Sequence, residues 1–185
     1  MNEERSSVTK LEAAKRQLET GVRMFFEESD PIAIHTLVFA AHQILYDIGK
    51  KRGMVSILKG NPMIKVESRK LYDSMLTEAA NFFKHGKYDS NDSISFNPRV
   101  NEYFLVDAAE IYLQLAPDST PPIFHLMRAW FRLANPHIFS KVPETRRLIQ
   151  LCEIIKLYPN DKKRFLVMEK GIVEAIKSGT IINHS

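Results

Sequence analysis

A single cysteine, Cys152, excludes an internal disulfide framework. That economy fits a reducing compartment, and the chain is expected to be cytoplasmic. No run approaches the roughly 20 uninterrupted apolar residues of a membrane-spanning helix, so no membrane partner is expected. The opening MNEERSSVTK is charged and lacks the apolar run of a secretory signal. A Gly-rich phosphate loop, a Ser nucleophile elbow and a paired-cysteine zinc motif are absent as well. Most common enzyme signatures therefore have no carrier here, and no cofactor is expected.

What is present is an ordinary globular composition, 44% hydrophobic and 26% charged over 185 residues, which suits one folded domain and argues against disorder. The net charge of +4 is unevenly spread. Residues 50–70 carry Lys50, Lys51, Arg52, Lys59, Lys65, Arg69 and Lys70 against Glu67, whereas residues 88–118 lean acidic. A basic stretch of this kind is either a nucleic-acid footprint or a solvated surface whose cations cap helix C-termini.

Helical periodicity runs through the chain. Leu11, Ala14, Leu18, Val22 and Phe25 form one apolar stripe over 9–28, with Thr9 and Glu12 placed as a capping box. Asp30-Pro31 then suits the start of a second helix, over 31–50. Ile34, Leu37, Ala41, Ile44 and Ile48 make one face of it, and apolar residues fill most of the others, so it is expected to be the most buried helix. A third helix is predicted over 66–85, with Tyr72, Met75, Leu76, Ala79, Phe82 and Phe83 inward and Gly86 as its C-cap. A fourth follows over 98–115. Beyond the Pro-rich link 117–122, three shorter helices are predicted over 123–134, 144–158 and 162–178. The result is an all-α chain of about seven helices, with a four-helix core over 8–116 and a helical C-terminal extension over 122–180.

Few residues offer chemistry. Cys152 lies on the stripe Leu148, Leu151, Ile155 and reads as a core thiol. His35 and His42, seven residues apart, return to one helix face about 10 Å apart, too far to share a metal. They read as hydrogen-bonded interior histidines, or as ligand-binding groups. Glu78, Asn81 and His85 align on one face of the third helix, beside Lys84 and Lys87. An imidazole near a helix C-terminus, among lysines, suits acid–base work on a phosphodiester, although it can also simply cap its helix.

The string Asn81-Phe82-Phe83-Lys84-His85 resembles the motif of the HEPN superfamily, an Arg followed by a polar residue with a His four positions after the latter. Together with Lys10–Arg16 and Asp30–Leu37 it is also similar to a group of bacterial helical proteins, over about residues 8–135. The superfamily resemblance implies an all-helical, often dimeric fold, and either metal-independent endoribonuclease activity or nucleotide or RNA binding. It implies catalytic roles for His85 and Asn81; beside them, Lys84, Lys87, Glu78 and Arg69, with His35 and His42, are expected to bind the ligand. Ala80 occupies the position of the motif's Arg, so nuclease activity is expected to be weak or absent. Two other readings stay open. One is a dimeric helical interaction module, for which eleven Phe and six Tyr supply aromatic surface. The other is an enzyme whose histidines hold a metal with Glu78 or Asp89.

Overall fold

The computed structural model describes residues 7–59, 66–86, 90–139 and 143–177; for 66–72, 173 and 175–177 it describes the backbone. The protein is all-α. Among the described residues there are eight α-helices, a single 3₁₀ turn at Pro117–Ser119 and no strand. The helices are α1 (Lys10–Phe26), α2 (Pro31–Lys51), α3 (Val66–Lys84), α4 (Val100–Leu115), α5 (Pro122–Ala134), α6 (Pro143–Ile154), α7 (Lys162–Val167) and α8 (Glu169–Lys177).

Local chemistry sets the helix ends. Thr9 Oγ1 accepts from the Glu12 N–H at 3.1 Å, but the Glu12 carboxylate turns to Arg16 at 2.8 Å and leaves the box half made. Asp30 Oδ1 accepts from the N–H groups of Ile32 and Ala33 at 2.9 and 3.0 Å, with Pro31 in the first turn. Past α2, Gly53 takes a left-handed φ of 75° while the Met54 N–H returns to Gly49 O, closing the exposed carbonyls. Gly86 does not take that conformation, so it does not terminate α3 in the expected way. The single helix predicted over 162–178 is interrupted at Met168, whose N–H is shared between the Arg164 and Phe165 carbonyls.

α1 and α2 form a hairpin, α2 lies against α4, and α4 against α5. Close approach of the first two depends on Gly21, where a Cβ would meet Val38 Cγ2 at 2.4 Å. α5 packs directly on α1 and α4, and the Trp130 ring stands edge-on to Phe25 with centroids 4.7 Å apart.

The burial of α2 differs from expectation. Its buried stripe is Ile34, His35, Val38, Phe39, Ala41, His42, Leu45 and Gly49, while Leu37, Ile44 and Ile48 are half-buried. The helix is rotated so that both histidines face inward. α4 is the more deeply enclosed, with nine of its sixteen residues buried against eight of twenty-one in α2. It packs against α2, α5 and α1, whereas α2 keeps a solvent face at Ile32, Asp47 and Lys50. By length and composition α2 could cross a membrane, but here its apolar side is packed between α1 and α4. On α3 the inward residue is Ala80, with Leu76 and Phe83 half-buried, and Met75 points outward.

Candidate functional site

Polar groups are concentrated where α2 meets α4. The two helices run parallel there, because His35 pairs with Asn101 and His42 with Asp107 in the same chain order. All four side chains are buried. His35 Nδ1 lies 2.8 Å from Asn101 Oδ1, and Asn101 Nδ2 donates to the Pro31 carbonyl at 3.0 Å. Phe104 stands between the imidazoles, its ring centroid 5.7 Å from that of His35 and 5.0 Å from that of His42. The interior, hydrogen-bonded reading of both histidines therefore holds. Neither side chain reaches solvent.

Asp107 is the hub. It accepts from His42 Nε2 at 2.7 Å, Ser56 Oγ at 2.5 Å and the Ile57 N–H at 2.8 Å. Burial pushes the Asp107 carboxyl up, but the hydrogen bond and charge of His42, with the donors of Ser56 and Ile57, outweigh it and hold it below the usual carboxylate value. Ser56 in turn accepts from the Lys59 N–H at 2.8 Å. The carboxylate thus folds the segment after α2 onto α4. His, Asp and Ser meet here, yet no nucleophilic relay results, because Ser56 donates to Asp107 and not to His42.

That folding delivers Lys59 to the aromatic side of α2. Lys59 is 9% exposed, donates to Gln43 Oε1, and its Nζ lies 5.2 Å from the Phe39 ring centroid and 5.4 Å from that of Tyr46. Burial lowers the Lys59 pKa, against the opposing charges of Asp47, Asp73 and Asp107. Lys84, from the end of α3, reaches the same Phe39 ring at 5.6 Å, and Lys50 lies 6.0 Å from Tyr46. The basic 50–70 segment and the Asn81–His85 string consequently meet over one aromatic ring.

The remaining candidates divide by position. Glu78, Asn81 and His85 are exposed, and the His85 N–H closes the last turn of α3 on the Asn81 carbonyl at 3.2 Å. Ala80 is 2% exposed and faces the core, so an arginine introduced there would have to enter packed space. Arg69 lies on α3, where only the backbone is described, and Lys87 and Asp89 lie outside the described residues. Phe83 touches the His35 ring, with centroids 5.9 Å apart, but His85 makes no hydrogen bond through its ring with another described residue. Among the described residues no three His, Cys, Asp or Glu side chains are placed to hold a metal ion. Cys152 is buried, and that burial pushes its thiol up to about 11.

Asp107, Ser56 and Asn101 escape a reading of the sequence for sites. One signal was available, since a lone Asp inside the apolar α4 string FLVDAAEIYL needs a buried partner. No protein-family model, curated protein or solved structure matches the chain.

Proposed function

We propose that this chain is a HEPN-like helical domain that binds nucleotide or RNA, with weak or absent endoribonuclease activity. The observation that carries the reading is the convergence of Lys50, Lys59 and Lys84 on the Phe39 and Tyr46 rings. Lys50 and Lys84 are exposed there and suit a phosphate backbone, with the half-buried Tyr46 ring beside them, while the buried Lys59 and Phe39 support that face from within. Asn81 and His85 sit on the exposed side of the helix that supplies Lys84, where they can donate to a phosphate oxygen. Ala80 leaves the motif without the guanidinium that would steady a cleaving phosphate, which favours binding over turnover.

Fluorescence anisotropy with a labelled single-stranded RNA tests the assignment. Lys50→Gln with Lys84→Gln should weaken binding about tenfold or more, the order expected when two charge-assisted phosphate contacts are lost. His85→Ala should weaken it less and leave the fold intact. Unchanged affinity in the double variant, with native circular dichroism, would sink the reading.

A second reading, a dimeric interaction module, draws on outward apolar side chains: Val167 is 85% and Ile154 78% exposed. Light scattering at micromolar concentration should then give the mass of two protomers. A monomer mass at high concentration removes it.

A further inference from the structure

A cavity of about 280 Å³ opens where the end of α1 and the starts of α2, α4 and α7 meet. That volume is near the lower end of the range for small-molecule sites. Its walls combine apolar surface from Phe25 and Ile34 with four charged groups, Glu28, Arg99, Glu102 and Lys162, of which Glu102 and Lys162 are the less exposed. Lys162 Nζ stands 3.8 Å from the Phe25 ring centroid and 5.5 Å from that of Trp130, so the rings hold the ammonium at the cavity wall. Among the described residues it has no hydrogen bond and no ion pair within 4 Å. The Glu102 side chain is 13% exposed, and its nearest described cation is the exposed Arg99, at 3.9 Å.

Each charge is thus partly desolvated, and neither closes on the other. Burial raises the Glu102 pKa, against the charges of Arg99 and Lys162, and lowers that of Lys162, against the charges of Glu102 and Glu28. The competing structural explanation is a loose ion pair that a rotamer change would close. A loose pair alone leaves the apolar part of the cavity without a role. A ligand carrying both a donor and an acceptor would satisfy both groups at once.

We propose that this cavity binds a free α-amino acid with an apolar side chain: its ammonium on Glu102, its carboxylate on Lys162, and its side chain along Phe25 and Ile34. The site shares no residue with the Lys59–Lys84 face, so its test is independent of RNA binding. Isothermal titration calorimetry on the full chain would use L-leucine and L-phenylalanine as probes. N-acetyl-L-leucine, which lacks the ammonium, and L-leucinamide, which lacks the carboxylate, serve as comparisons. Saturable binding of at least one amino acid is expected, weakened about tenfold or more in the corresponding analogues. Lys162→Met and Glu102→Gln should each abolish it while circular dichroism stays native. The proposal is overturned if neither amino acid binds to the wild-type chain. It is equally overturned if N-acetyl-L-leucine binds as well as L-leucine, which marks a simple anion site. Loss of stability in both variants with no wild-type binding identifies Glu102 and Lys162 as an ion pair only.

Discussion

Asp107→Ala should lower the stability of the domain by about 3–5 kcal/mol, the usual cost of removing one partner from a buried ionic pair. The side chain accepts from His42, Ser56 and the Ile57 N–H, and its removal takes the acceptor from the buried His42 and Ser56 donors. Against a total stability of about 5–15 kcal/mol, that loss leaves a marginal fold. Urea unfolding followed by circular dichroism measures it. A loss below about 1 kcal/mol would show that the network contributes little. The effect should also depend on pH. The Asp107 carboxyl is held below its ordinary value of about 3.9, so its stabilisation is complete above that value and is lost as pH falls through the lower, folded one. The gap between wild type and Asp107→Ala should therefore narrow on acidification below about pH 4.

Phe104→Ala should cost a similar amount, about 3–5 kcal/mol, by opening a cavity at the centre of the α2–α4 contact. Its ring is fully buried and meets His35, His42 and, at 5.5 Å, Phe39. The cavity would border two imidazoles whose other nitrogens, Nε2 of His35 and Nδ1 of His42, have no hydrogen-bond partner among the described residues. Water entering there could hydrogen-bond both, so the measured loss should fall in the lower half of that range. A cost under 1 kcal/mol would mean that neighbouring side chains collapse into the space.

Much of the fold was legible because helix periodicity and capping are local. Thr9 and Asp30 cap the helices that the sequence marks, and Leu18, Val22 and Phe25 face the core as their spacing requires. The rotation of α2 was harder to see, since apolar residues on nearly every side leave the inward face undetermined until a neighbour chooses it. That choice follows from the polar residues: His35 and His42 turn inward because Asn101 and Asp107 wait on α4. Those partners lie 66 and 65 positions away along the chain, beyond any local pattern. The site was legible in part for the same reason. The alignment of Asn81 and His85 is a property of one helix, whereas the meeting of Lys59 and Lys84 over Phe39 joins three separate segments. Ala80 shows the limit from the other direction, since the motif marks its position without saying which way it faces, and the packing of α3 places it inward.

In the proposed complex the exposed Lys50 and Lys84 act together on phosphate, and the salt dependence of RNA binding measures that directly. Each phosphate neutralised on a single strand contributes about −0.7 to the slope of log affinity against log salt concentration. These two lysines predict a slope of about −1.4 for the wild-type chain, falling toward zero in the Lys50→Gln, Lys84→Gln double variant. A wild-type slope near zero, or the same slope in both proteins, would contradict the assignment of this face to a nucleic-acid ligand.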